Sequence, residues 1–396
     1  MISLDLNSID YILLGVLAFL FFAQVYFYAR YMAAPARKLR RDKKSSIFNL
    51  QSSIDNLPGV SVILCAHNES YNLSQYLQSL LTQDYPEYEV IVVDDGSEDD
   101  TRAVIERYMT RDPRLHMTFV PYGARVGSTK KLALTLAAKA ALYDYLLLTD
   151  ADCRPESNQW ISEMMKGFSN STSIVLGFGA YFYDKGHLNR LVRFDTLFNG
   201  LHYLGAALCG HPYMGVGRNL AYRKDFFFES GGFTHLMANR AGDDDLFVNH
   251  VATRENTAVV VSRDSIVWSL AKTTMREWWQ QKRRHLSVSP SYRRATQFRL
   301  TLEPLSRGLF YALVLGIVIW QAILNNFQLP TFNLQLLIAL GLFLTRWILQ
   351  TAILNVSAKR MGLHRFNMFT VLWFDIALPL VNLLMLASPK RKTIKW

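Results

Sequence analysis

Four apolar runs constrain this chain more than any other feature: Ile9 to Ala29, Gly308 to Leu324, Leu334 to Asn355 and Met368 to Ala387. Each is long enough to cross a hydrocarbon core of about 30 Å as a helix. The first has Asp5 and Asp10 at its start and Arg30, Arg37, Lys38, Arg40, Arg41, Lys43 and Lys44 after it. A cleaved signal peptide carries its positive charge ahead of the apolar stretch, so this run does not read as one. Positive flanks stay in the cytoplasm, which puts the N-terminus outside and the chain after Arg30 inside. Three more spans then leave Lys390, Arg391, Lys392 and Lys395 outside, against the same rule. Either the tail is an exception or one segment does not cross fully, and Pro379 marks the fourth as the one to bend. Arg346 and Asp375 lie inside the third and fourth runs, about 15–17 Å from the short basic loop Ser357 to Arg365 at 1.5 Å per residue. Ionisable residues at that depth pair or line a pathway, so an ion pair between these two spans is expected.

Between the first and second runs lies a long mixed stretch. The whole chain of 396 residues is 50% hydrophobic with a mean hydropathy of +0.07. That is too apolar for an ordinary soluble domain and too mixed for a pure membrane bundle, so one globular domain beside several spans is expected. A stretch this large argues against a transporter. The net charge of +11 crowds beside the spans, which favours membrane lipids over nucleic acid as partner. Cys65, Cys153 and Cys209 are too few and too scattered for a disulfide framework or a zinc site, and reduced thiols are the simple account.

Inside the mixed stretch, Ser45 to Asn56 reads as a polar linker closed by Pro58-Gly59. Strands and helices then alternate: strand Val60 to Ala66, helix through Leu73, Leu77, Leu80 and Leu81, strand Val90 to Val93, strand Leu115 to Val120, helix Thr129 to Leu142. Ser97 with Asp100 resembles a helix N-cap. A fourth strand, Leu146-Leu147-Leu148, runs into Asp150-Ala151-Asp152. This alternation predicts an α/β fold with a doubly wound, mostly parallel sheet. Ligands of such sheets bind beyond the carboxyl ends of the strands. Two carboxylates one residue apart at that edge can share a hard cation with the oxygens of a diphosphate, whereas alone the pair also fits a polar turn before a helix. A nicotinamide enzyme would show G-x-G-x-x-G after the first strand; here the sequence is Ala66-His67-Asn68-Glu69-Ser70-Tyr71, and no Walker sequence occurs.

The order of the motifs resembles the membrane-integral family-2 glycosyltransferases with a GT-A fold, such as the cellulose, hyaluronan and poly-N-acetylglucosamine synthases. The resemblance rests on His67-Asn68-Glu69, Asp94-Asp95-Gly96-Ser97, Asp150-Ala151-Asp152, Gly127 with Lys130-Lys131 and Ala133-Leu134, Gly215 to Arg223, Gly242-Asp243-Asp244-Asp245-Leu246, and Gln280-Gln281-Lys282-Arg283-Arg284. It covers roughly Pro58 to His285 and continues into the membrane region. Arg284 departs from it, since the last position of that box is usually tryptophan, which counts against processive synthesis more than against transfer itself.

The resemblance implies an inverting transfer from a nucleotide-diphosphate sugar, such as a UDP-sugar, to a lipid or growing glycan at the membrane. Single-sugar transfer to a lipid and a catalytically silent nucleotide-sugar-binding assembly protein are the alternatives. It implies a divalent metal, Mg2+ or Mn2+, on Asp152 and Asp150, and donor contacts from Glu69, Asp94, Asp95, Lys130, Asp150, Gln280, Arg283 and Arg284. Acceptor contacts fall to Gly217, Asn219, Trp278 and Trp279. The general base is the second acid of a pair. Alignment on Gly242 gives Asp244, the favoured choice, and alignment on Leu246 gives Asp243. The expected organisation is an anchor and basic linker (1–55), a cytoplasmic GT-A domain (56–270), an interfacial amphipathic segment (271–306) and a C-terminal membrane region (307–396), all in the cell membrane.

Overall fold

The strands that carry the predicted motifs form the centre of a seven-stranded sheet. The structure is a computed structural model that describes residues 8–48, 57–121, 127–237, 242–324 and 334–387. Asp5, residues 49–56 of the expected linker and the basic tail Lys390 to Lys395 lie outside the described residues. The strands are β1 (Val60–Ala66), β2 (Tyr88–Asp94), β3 (Leu115–Phe119), β4 (Tyr145–Leu148), β5 (Cys153–Pro155), β6 (Ile174–Leu176), β7 (Gly179–Tyr181), β8 (Leu220–Arg223), β9 (Thr257–Val259) and β10 (Val267–Ser269). The large sheet runs β3-β2-β1-β4-β8-β6-β9, and a small one runs β5-β10-β7. In the large sheet β8 alone is antiparallel to its neighbours, and every other pairing is parallel.

Alternation in β1 builds two cores. Val60, Val62, Leu64 and Ala66 face one side, where Leu73, Leu77, Leu80 and Leu81 of α3 (Ser70–Leu81) cover them. Ile63, with Ile91 and Val93 of β2, faces the other, under Ala133, Leu134 and Ala137 of α5 (Thr129–Ala140). Strands buried on both faces are continuous apolar runs, as Leu146-Leu147-Leu148 shows. The register pairs Ala66 with Asp94 and Leu148 with Leu220. The ends of β1, β2 and β4 and the loop entering β8 therefore share one edge.

Two local expectations are corrected. Helix α4 (Thr101–Met109) is not capped through Ser97 and Asp100; the Asp99 carboxylate accepts from the N–H groups of Thr101 and Ser70, at 3.0 and 3.2 Å. The linker does not begin at Ser45. The first membrane helix, α1 (Ser8–Phe27), passes through a π-turn (Tyr28–Met32) into α2 (Ala34–Phe48), because the Lys- and Arg-rich stretch after it is made of good helix formers.

The remaining helices are α6 (Trp160–Met165), α7 (His187–Leu208), α8 (Lys224–Glu229), α9 (Asp245–Val251), α10 (Met275–Leu286), α11 (Arg294–Leu324), α12 (Leu334–Arg360) and α13 (Met368–Ala387). Four helical stretches are long and apolar enough to cross a membrane: Ser8–Asp42, Arg294–Ile323, Leu334–Arg360 and Met368–Met385. The second begins in the stretch expected to be interfacial, and the third extends into the expected basic loop, since neither boundary carries a strong helix stop. α13 continues through Pro379 as one helix. α7 ties this bundle to the sheet layer: a Cβ at Gly205 would stand 2.0 Å from the Tyr31 carbonyl oxygen, so only glycine allows the approach.

The expected pair between the third and fourth spans is present, with Arg346 Nη1 3.0 Å from Asp375 Oδ2. It belongs to a larger cluster. Arg307 Nη1 lies 2.7 Å from Asp375 Oδ1, and its Nη2 lies 3.0 Å from Glu303. Gln24 accepts from Arg346 Nη2 at 2.9 Å, while Tyr311 and Gln350 donate to Asp375 at 2.5 and 2.7 Å. Two cations face two carboxylates, and the cluster pins α1, α11, α12 and α13 together.

Candidate active site

The shared edge gathers acid groups from four separate parts of the chain. After β1, Asn68 takes a positive φ of 56°, and its carbonyl-type side-chain oxygen accepts from the Glu98 N–H at 2.8 Å. His67 Nδ1 lies 2.7 Å from the Asp95 carbonyl oxygen, which joins the ends of β1 and β2. Glu69 accepts from Asn72 Nδ2 at 2.6 Å; burial raises its pKa, and the charge of Asp152 adds to the rise. Asp94 accepts from the Ser97 N–H at 3.0 Å, which closes the turn through Gly96 at φ 69°. Asp95 accepts from Thr129 Oγ1 at 2.6 Å, and burial raises its pKa. Asp94 thus shapes the turn while Asp95 stands at the mouth of α5.

Past β4, one oxygen each of Asp150 and Asp152 and the Cys153 sulfur lie within 4.8 Å of one another. Ser269 at the end of β10 donates to Asp152 Oδ2 at 3.0 Å, so the small sheet orients this carboxylate. Cys153 donates its thiol to Asp152 Oδ1 at 3.3 Å, and burial pushes that thiol well up, keeping it neutral. A neutral thiol is a poor ligand. The donor set that fits is the two carboxylates, which suits a hard, oxygen-seeking divalent cation.

The acids before α9 complete the rim. Gly242 turns at φ 83°, and Asp243 Oδ2 lies 3.1 Å from Lys130 Nζ. The same ammonium lies 3.2 Å from Asp150 Oδ1. Burial works against the Asp243 charge, but Lys130 outweighs it and holds the carboxyl below its usual range. Burial likewise opposes the Lys130 charge, and Asp150, Asp243 and Asp244 overcome it, raising its pKa. Asp244 accepts from the Gly217 N–H at 2.6 Å and the Asp245 N–H at 2.8 Å, and burial together with Asp243 raises its pKa. Asp245 is buried, accepts from Tyr292 at 3.0 Å, and is pushed up to about 8 by burial and by the charge of Asp244.

Helix α10 forms as the sequence implies, with a capping box between Thr274 and Glu277. Its inward face carries Trp278 and Lys282, and Lys282 pairs with Asp195 on α7. Gln281 donates to the Tyr181 hydroxyl at 3.3 Å. Arg283, Arg284 and Trp279 are half-buried.

The structure does not join three of the expected contact residues to the acid rim. Gln280 is exposed and lies about 200° around α10 from Trp278, away from the buried face. Trp278 is only 3% exposed and packs into the core. Asn219 is fully buried: it donates to the carbonyls of Phe178 and Ser265 at 3.0 and 2.7 Å and accepts from Trp160 Nε1 at 3.0 Å. Its amide is spent on the fold. Gly217 does reach the rim, through its N–H on Asp244.

One functional candidate escaped the sequence reading. Arg218 lies over the Tyr181 ring at 4.4 Å and donates to the carbonyls of Gly179 and Ala180 at 3.3 Å. Burial lowers its pKa, but Tyr181, Cys153, Asp152 and Asp150 together hold it above the usual value. It is a cation beside the carboxylates of Asp150 and Asp152. The only sequence signal was an arginine inside the Gly-Val-Gly-Arg-Asn loop.

Known proteins resemble this chain in sequence and in fold. Residues 61–231 match the family model described as Glycosyl transferase family 2. A poly-beta-1,6-N-acetyl-D-glucosamine synthase of Staphylococcus epidermidis is 32% identical over 103 residues, which is 26% of this chain and 24% of that protein. Glycosyltransferase AglE of Haloferax volcanii is 27% identical over 145 residues, 36% of this chain and 46% of that one. The match therefore spans about a quarter of the first relative's length and under half of the second's. A mannosyltransferase of Pyrobaculum calidifontis, solved in complex with GDP-Man and Mn2+, superposes with a TM-score of 0.50 at 19% identity, over 87% of this chain and 99% of that one. At that identity the likeness is one of fold.

Proposed function

From the premise that residues 61–231 form a glycosyl transferase family 2 domain on a GT-A-like fold, we propose that the protein is an inverting glycosyltransferase acting at a membrane. Its donor is a nucleoside-diphosphate sugar, such as a UDP-sugar, and its acceptor is a lipid or growing glycan. The catalytic domain sits on the cytoplasmic side of the cell membrane. One observation carries the reading: a single ammonium, Lys130 Nζ, lies within 3.2 Å of both Asp150 and Asp243. A carboxylate suited to a leaving diphosphate and a carboxylate suited to an incoming hydroxyl are thus placed across one small gap.

Asp150 and Asp152 hold the divalent cation, Mg2+ or Mn2+, which when bound offsets the charge of the departing nucleoside diphosphate. Glu69 and Asp95 hold the nucleoside side, with Asp94 keeping the turn beneath them. Lys130, Arg218, Arg283 and Arg284 supply positive charge toward the phosphates. Asp243, rather than Asp244, takes the proton from the acceptor hydroxyl. Both Asp244 oxygens accept backbone N–H groups, so that residue holds the 217 loop against α9. Asp243 faces the gap and stays ionised beside Lys130, ready to accept a proton as the oxygen attacks the anomeric carbon.

The test is incubation of detergent-extracted protein with a panel of radiolabelled sugar nucleotides, with and without Mn2+. One of them labels a product in the wild type. Asp243→Asn binds that donor but transfers nothing, and Asp152→Ala loses Mn2+-dependent donor binding. Normal turnover by Asp243→Asn would refute the base assignment, and a panel without any product or donor hydrolysis would refute transfer. Arg284 in place of the usual tryptophan favours single-sugar products over a ladder, and product length decides between them.

A further inference from the structure

A groove of about 570 Å³ lies outside the acid-lined crevice, between the start of α7, the start of α10 and the start of α13. Its volume is that of a small-molecule site. Leu188 and Leu191 of α7 form one wall, and Phe369 and Trp373 of α13 form the other. These two rings are 75% and 68% exposed. Four residues apart, they share one face of their helix. α13 is long and apolar enough to cross a membrane, and aromatic rings in the first turns of such a helix sit at the headgroup level. The open side of the groove therefore meets the bilayer where headgroups join chains.

The other end of the groove is polar. His187 and Arg190 line it, and no carboxylate does among the described residues. A cationic end joined to an apolar trough complements one chemistry: a phosphate with a hydrocarbon chain attached. We propose that this groove binds an anionic phospholipid of the bilayer, with its headgroup phosphate at Arg190 and a chain laid along Phe369 and Trp373. Met275, the first residue of α10, lines the same groove. An occupant therefore touches the helix that reaches Tyr181 through Gln281 and Asp195 through Lys282. This inference does not depend on the sugar chemistry.

The test uses the full chain in nanodiscs carrying photoactivatable phosphatidylglycerol or, in parallel, photoactivatable phosphatidylcholine, with cross-linked peptides located by mass spectrometry. Phosphatidylglycerol is expected to label the peptides around Leu188–Leu191 and Phe369–Phe374 about fivefold over phosphatidylcholine, the weight of one arginine near an anionic surface. Arg190→Glu should bring labelling down to the phosphatidylcholine level while nucleotide affinity and melting temperature stay put. Trp373→Ser serves as a second variant and should weaken labelling by both lipids at these peptides. Equal labelling by the two lipids overturns the proposal. So does label spread evenly over the outward face of α1, at Ile12 and Phe19, or an Arg190→Glu protein that labels as the wild type does.

Discussion

Asp375→Asn removes one charge from the membrane cluster and almost no volume. In the native protein Asp375 accepts from Arg307, Arg346, Tyr311 and Gln350, at 2.7, 3.0, 2.5 and 2.7 Å. Asparagine keeps one acceptor oxygen but turns an NH2 group toward a guanidinium. Two arginines then face only Glu303 among carboxylates of the cluster, and one positive charge is left buried. Breaking a buried pair from one side costs about 3–5 kcal/mol. At about 2.1 cal/mol/K of unfolding entropy per residue, that lowers the melting temperature of a chain this long by about 4–6 °C. Arg346→Met should cost a similar amount from the opposite side, by leaving a net negative cluster. The double variant retains the balanced Arg307–Glu303 pair, so it should melt no lower than the worse single variant. The assay is heating in detergent followed by fluorescence-detected size exclusion. An Asp375→Asn protein that melts like the wild type, or a double variant whose loss is the sum of the two, would refute the claim that charge balance holds these four helices.

Three further outcomes follow from individual contacts. Asp245, pushed up to about 8, keeps a proton that the unfolded chain releases near pH 4, so stability should fall as pH rises from about 4 to 8, by at most about 1.4 kcal/mol per unit. Thermal melts at pH 5, 6.5 and 8 should show Asp245→Asn declining less than the wild type. Gly205→Ala places a methyl against the Tyr31 carbonyl and should destabilise by about 1–3 kcal/mol. Gly341→Ala, with nothing within 4 Å of its added carbon, is the control and should melt normally. Asn219→Ala orphans the Trp160 N–H and should cost about 1–3 kcal/mol in denaturant melts without changing the acceptor KM of the folded fraction.

The parts of this fold that were legible in the sequence are those that local pattern dictates. β1 has the expected ends, Val60 and Ala66, and α13 runs from Met368 to Ala387 as its apolar run does. Asp94 closes β2 and Asp150 follows β4, each where an unbroken apolar run ends. What was not legible depends on partners far along the chain. β8 enters the sheet antiparallel to β4, and nothing within Leu220–Arg223 announces its direction. Asn219 stands in a loop that resembles an acceptor motif, yet its amide is claimed by Trp160, Phe178 and Ser265. Arg307 sits at the edge of an apolar run, where a basic residue usually snorkels to water. Its burial follows from Asp375, 68 positions later.

The acid crevice also explains why Lys130 matters more than its position in a helix suggests. Asp150, Asp152, Asp243 and Asp244 stand around three cations, Lys130, Lys131 and Arg218, so the acids still outnumber the cations. In the proposed reading Asp150 and Asp152 would hold a divalent cation, which would offset the excess. Lys130, bonded to both Asp150 and Asp243, would then be free to turn from Asp150 toward a donor phosphate. With the base proposed at Asp243, Lys130 would hold it weak until a phosphate drew the lysine away. On this account Lys130→Met should leave Asp243 a stronger base at rest but a poorly placed one. Its defect should therefore appear in kcat, with donor affinity weakened as well, and a variant that alters KM alone would show that the lysine serves only to bind.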